Sequence, residues 1–230
     1  MLVSHRSKFI YTKTVKTAGT SVELYFEPFC VDGAATDANG KTHRHDEQVS
    51  DAGIVGFRGP DRPSSSVWWN HMPAADIKRL LGDEVWNSYF KFCVVRNPFD
   101  KVVSLFYFQR KTGRLDVDLT APDPEQFERW LTSRRLPVDR DKYTIDGEFC
   151  LDDVIKYEQL HQDMERICQR VGVPWIPSAF AKVKSGIRPA GATIAQMYSD
   201  ESAKIVRKQF AFEFDYFGYA ESPQLAAALA

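Results

Sequence analysis

The sequence lacks any run of about 18 apolar residues, so no transmembrane helix is expected. It also lacks a net charge of either sign: 30 Lys and Arg stand against 31 Asp and Glu, a formal charge of -1. Without a global basic surplus, the chain is expected to bind neither nucleic acid nor an anionic membrane through its overall field. A local basic cluster is still compatible with that balance. Cysteine is scarce. Cys30, Cys93, Cys150 and Cys168 form no CxxC pair, so buried thiols in a reducing cytoplasm are the expectation, with no metal. The opening stretch MLVSHRSKFIYTK has too short and too charge-broken an apolar run for a signal peptide. No internal repeat, low-complexity run or clear linker is present. A GxxxxGK[ST] loop is missing, as is an obvious magnesium-binding acid after a strand. Both absences argue against a nucleotide-dependent kinase.

What remains is a chain of 230 residues, 43% hydrophobic and 13% aromatic, sized for one core and read as a single domain over 1–230. Residues 8–12, KFIYT, read as a buried strand, followed by a loop and a helix opening near Thr20 or Ser21. From Pro28 to Ser66 the chain is polar and irregular. Residues 73–82 read as a short helix closed by Gly82. Residues 89–95, YFKFCVV, read as a central strand. Asn97 and Pro98 then cap and start a helix whose Phe99, Val102, Val103 and Phe106 share one apolar face. Further helices are expected at 123–134, 158–171 and 200–210, with a strand at 153–157. Three strand-then-helix units predict an α/β fold: a central, mainly parallel sheet flanked by helices.

Ligands of such sheets bind beyond the carboxyl ends of the strands. One strand end carries Lys16, Thr17, Ala18, Gly19, Thr20 and Ser21. The helix N-terminus there offers unpaired N–H groups, Gly19 allows close approach, and Lys16 adds a charge, a combination suited to an anion. The same residues also read as an ordinary helix start with solvent-facing lysines. A second strand end carries Arg96, with Asp100 and Ser104 on one helix face. An arginine fork beside a hydroxyl suits a phosphate. An Arg96–Asp100 pair that only fixes the turn is the alternative. A late basic loop holds Lys182, Lys184, Ser185 and Arg188, which also reads as a solvated charge run. His71, in WWNHMPAADI, has the right side chain for a general base near neutral pH; capping a helix or packing on Trp68 or Trp69 is its plainer role. Those two tryptophans fit core packing as well as stacking on a flat acceptor. His43 and His45 are rivals to His71 and too sparse for a metal site. Glu158 suits the start of a helix electrostatically.

VKTAGTS at 15–21 and VVRNPFDKVVS at 94–104 together resemble the sulfotransferase superfamily, closest to its carbohydrate branch. The first matches a PKTAGTS pattern with Val15 in place of proline, the second a VRNPxDRxxS pattern with Lys101 in place of arginine. IKYEQL at 155–160 and FDYFGY at 214–219 extend the likeness. The resemblance implies a P-loop-like strand-loop-helix and a 3′-phosphoadenosine 5′-phosphosulfate co-substrate without a metal. Lys16, Thr17, Ala18, Gly19, Thr20 and Ser21 would hold its 5′ end, and Arg96 and Ser104 its 3′-phosphate, with Arg188 closing over it. Lys16 and His71 would be catalytic. The acceptor would be a carbohydrate or glycosylated small molecule. A non-catalytic nucleotide-binding protein is the competing reading beside the kinase.

Overall fold

The computed structural model describes residues 1–32, 46–59, 61–115, 120–133, 136, 138–181, 183, 186–189 and 191–228. The chain divides into two compact units: Met1–Val95 with Asp139–Val183, and Arg96–Val138 with Lys184–Ala230.

The first unit is built on a six-stranded sheet. Its strands are β1 (Leu2–Ser4), β2 (Phe9–Thr12), β3 (Gln48–Ser50), β4 (Gly53–Val55), β5 (Phe90–Val95) and β8 (Asp153–Lys156), in the spatial order β3-β4-β1-β2-β5-β8. A separate hairpin pairs β6 (Thr144–Ile145) with β7 (Glu148–Phe149). β5 is parallel to both β2 and β8, whereas β1 is antiparallel to β2 and β4, and β4 to β3. The sheet is therefore mixed, not mainly parallel. Its parallel half is the part whose strands feed helices. The antiparallel half sets two hairpins side by side, β1 with β2 and β3 with β4, each closed by a short turn that needs no crossover.

Helices α1 (Gly19–Phe26), α2 (Ala74–Ser88) and α5 (Leu160–Arg170) complete this unit. Val22 and Phe26 of α1 and Met164, Ile167 and Cys168 of α5 join Leu2, Phe9, Tyr11, Phe92, Val94 and Ile155 in one buried cluster. α5 keeps the expected i, i+3, i+4 apolar spacing on its buried side. α2 is longer than expected. Gly82 leaves helical geometry at φ 79°, where a side chain would be strained, and a second short helical stretch then runs on to Ser88.

The second unit is helical among its described residues: α3 (Pro98–Lys111), α4 (Asp123–Thr132), α6 (Ile194–Met197), α7 (Asp200–Gln209), α8 (Ala211–Phe217) and α9 (Pro223–Ala228). Asn97 caps α3 as expected, its side chain accepting the Phe99 N–H at 3.0 Å. Phe99, Val102, Val103 and Phe106 all face a core shared with Phe127, Trp130, Val206 and Phe210. No helix among the described residues is long and apolar enough to cross a membrane. None of the four cysteines forms a disulfide, and Cys30, Cys93 and Cys168 are buried.

Phe92 is the centre of the first core. It is fully buried, with ring centres of Tyr11 at 5.4 Å and Phe26 at 5.3 Å. Phe92→Ala should lower unfolding free energy by about 3–5 kcal/mol through lost contacts and a residual cavity. Urea titration should show a lower midpoint at an unchanged slope.

Candidate active site

β2 and β5 are parallel neighbours, with Thr12 level with Cys93, so both end on the same edge of the sheet. Residues 13–18 leave β2 and enter α1. Lys16 and Ala18 are held at φ 62° and 57°. Such left-handed conformations are uncommon without glycine, cost on the order of 1–3 kcal/mol each, and persist only where the surroundings enforce them. Those surroundings are visible. Thr14 Oγ1 donates to the Val94 carbonyl on β5. Its one proton is thereby used, so the Thr17 hydroxyl, 2.7 Å away, donates to it. The Val15 N–H donates to Asp139 Oδ2 at 2.7 Å.

α1 then starts at Gly19 without a side-chain cap. A helix N-terminus carries a partial positive charge and unpaired N–H groups. Lys16, half-buried, stands three residues ahead of it. A Cβ at Gly19 would lie 3.1 Å from both Lys13 Cγ and the Tyr11 hydroxyl, so the first turn packs tightly on the end of β2.

Under this turn sits Glu23, buried on α1. It accepts from Lys13 Nζ, from the Met1 amino group at 2.9 Å and from Arg58 Nε at 3.1 Å. Burial alone would raise its carboxyl pKa; Lys13, the amino group and Arg58 together outweigh that and hold it well below the usual carboxylate range. Arg58 also pairs with Glu27.

His71 reaches the same loop. Its Nδ1 is 3.0 Å from the Lys13 carbonyl. Burial, and then the nearby Lys13 charge, lowers its pKa to about 3. A neutral imidazole facing a carbonyl with Nδ1 carries its proton there, which leaves the lone pair on Nε2.

The second expected group lies in the helical unit. Asp100 is buried in the first turn of α3 and accepts from Arg96 through Nε at 2.7 Å and Nη2 at 2.6 Å on Oδ2. Its other oxygen, Oδ1, accepts from Arg188 Nη2. The Arg96–Asp100 pair is thus real but does more than fix a turn: one carboxylate holds two guanidinium groups. Ser104 follows Asp100 by one helical turn, on the same face. Lys101 is buried, its ammonium 5.5 Å from the centre of the Phe210 ring.

The sequence profile of the sulfotransferase family matches residues 1–220. The chain belongs to the sulfotransferase family. It is similar to mouse sulfotransferase 2B1, 30% identical over 140 residues, which are 56% of this chain and 39% of the mouse protein. It is also similar to an uncharacterized protein of Archaeoglobus fulgidus, 27% identical over 108 residues, 45% of this chain and 84% of that protein. The match to the mouse protein therefore spans about two fifths of that relative's length. No solved structure matches the chain.

In this sulfotransferase-family chain, Lys16, Thr17, Ala18, Gly19, Thr20, Ser21 and His71 all fall in the sheet unit, while Arg96, Ser104 and Arg188 fall in the helical one. Three of the expected hydroxyls bond within the protein: Thr17 within the loop, Thr20 Oγ1 accepting from Lys13 Nζ at 3.4 Å, and Ser21 Oγ accepting the Val183 N–H at 3.1 Å. Trp68 is buried, and Trp69 carries the Arg62 guanidinium 4.0 Å above its ring. Glu158 lies in the turn Tyr157–Gln159 that precedes α5. His43, His45, Lys182, Lys184 and Ser185 lie outside the described residues. Sequence reasoning missed Lys13, Glu23, Arg58 and Asp139. The hint was a charged pair, Lys13 and Glu23, bracketing an apolar helix start.

Glu23→Ala would take the carboxylate away from buried Lys13 and the Met1 amino group, while Arg58 would keep Glu27. It should destabilise the protein by about 3–5 kcal/mol, read as a lower melting temperature. His71 gives a pH signature. Its folded pKa of about 3 lies below the ordinary 6.5, so between these values the unfolded chain binds a proton that the folded chain rejects. Its stabilising contribution is complete above about pH 6.5 and is lost as pH falls toward 3. Melting temperature should fall across that window, and less so in His71→Asn.

Proposed function

We propose that this chain transfers a sulfuryl group from 3′-phosphoadenosine 5′-phosphosulfate to a hydroxyl on a carbohydrate or glycosylated small molecule. The observation that carries the reading is the placement of Lys16 in a left-handed turn just ahead of an uncapped helix N-terminus at the end of β2. Residues 13–21 then act as a P-loop-like cradle for the phosphosulfate. Backbone N–H groups and Lys16 meet its charge, and Gly19 permits the close first turn. Arg96, Ser104 and Arg188 take the 3′-phosphate, the two arginines held ready by Asp100.

Chemistry follows as an in-line displacement. The acceptor oxygen bonds to sulfur as the sulfur–oxygen bond to the 5′-phosphate breaks, and 3′,5′-bisphosphoadenosine leaves. Negative charge grows on that bridging oxygen, where Lys16 and the α1 N-terminus stabilise it. His71 Nε2 accepts the acceptor's proton and passes it to solvent. The unliganded imidazole has a low pKa, and the anionic donor would raise it by adding negative charge nearby. Transfer is expected in the cytoplasm and needs no metal, because Lys16 and the helix N-terminus supply the positive charge.

Calorimetry without magnesium should show tight binding of 3′,5′-bisphosphoadenosine and weak binding of ATP. Absence of the first would overturn the donor assignment. Lys16→Ala should reduce kcat by roughly 10²–10³ while binding of the bisphosphate partly survives. Unchanged turnover in that variant would remove Lys16 from the chemistry.

A further inference from the structure

Of the hydrogen bonds described above for residues 13–18, the one that spans the most sequence has no part in the chemistry above. Asp139 is buried, 4% exposed, and its Oδ2 accepts the Val15 N–H at 2.7 Å across a separation of 124 residues. We propose that Asp139 is a positioning residue for the donor loop, fixing the backbone on which Lys16 is carried by holding the Val15 amide. The inference rests on the donor reading given above.

Three observations support it. First, Val15 and Thr14 are the two residues immediately before Lys16, and each is tied to a different part of the sheet unit. Thr14 is bonded to the Val94 carbonyl and Val15 to Asp139. Lys16 then turns into the left-handed region, which an untethered loop would relax out of. Second, the backbone that carries the carboxylate is itself anchored: the Asp139 main-chain carbonyl accepts the Lys142 N–H at 2.8 Å, starting the turn Arg140–Lys142. Third, a carboxylate beside an anion-binding loop opposes the anion by charge, so any benefit from it must be geometric. A charge-assisted bond to a backbone N–H is among the stronger hydrogen bonds available for that purpose. The position also has chemical logic. Valine, unlike proline, has an N–H to give at this position, and Asp139 accepts it.

The test is a double-mutant cycle on the full chain with Asp139→Ala, Val15→Pro and both together, read by the calorimetric Kd for 3′,5′-bisphosphoadenosine and by kcat and donor KM. Asp139→Ala should weaken bisphosphate binding by about tenfold or more, as expected for losing a bond to a charged group. Asp139→Asn keeps an acceptor oxygen and should stay within about threefold of the parent, since the bond survives without its charge. In the Val15→Pro background, where no N–H remains, adding Asp139→Ala should change binding by less than about twofold. An equal loss in both backgrounds, or no loss in either, overturns the proposal. Failure of the parent protein to bind the bisphosphate would instead strike the donor reading. Should a variant not fold, amide hydrogen exchange in the parent decides: a protected Val15 amide supports the bond, and an unprotected one refutes it.

Discussion

Glu23 is the point on which the sheet unit hangs. A carboxylate buried under the first turn of α1 is tolerable only while its cations stay with it. Those cations come from three places: Lys13 at the end of β2, the amino group of Met1 ahead of β1, and Arg58 beyond β4. One side chain therefore ties the start of the first strand, the loop after β2 and Arg58 to a single spot. Lys13 is committed there, and the proposed function gives the ligand to Lys16, the lysine carried by the left-handed turn.

The same device recurs in the helical unit. Asp100 holds Arg96 and Arg188 much as Glu23 holds Lys13 and Arg58. In each case an acid gives up part of the local positive charge. In return the cations are held in fixed positions, which under the proposed function leaves little reorganisation for binding or for the transition state. Asp139 does this for a backbone amide where the other two acids do it for side chains.

The parts of this arrangement with local signals were legible in the sequence. β5 is six residues of nearly unbroken apolar character, and Asn97-Pro98 marks the start of α3 whatever surrounds it. Lys16, Gly19 and Arg96 stand out as candidates because each lies where a strand end meets a helix start. The antiparallel half of the sheet was not legible. β1, β3 and β4 have three residues each, too few for a period to show, and β3 and β4 sit in a polar stretch. Nor were the acids. Glu23 in VELYF looks like an exposed helix position until Met1 and Arg58 are brought to it, and nothing near Asp139 announces a partner at Val15. Long-range polar pairs leave no periodic trace, because each depends on a fold that must already exist.

The order of the chain adds one more consequence. Neither unit is a continuous stretch: the sheet unit waits for Asp139–Val183 to supply β8 and α5, and the helical unit waits for Lys184–Ala230 to supply α7 and Phe210. During synthesis, α3 and α4 emerge before the residues that bury their apolar faces, and the central strand β5 emerges before its neighbour β8. Each core can therefore close only after its later segment has emerged, and nascent chains that stop before Lys184 will carry uncovered aromatic surface from α3 and α4, a state prone to aggregation.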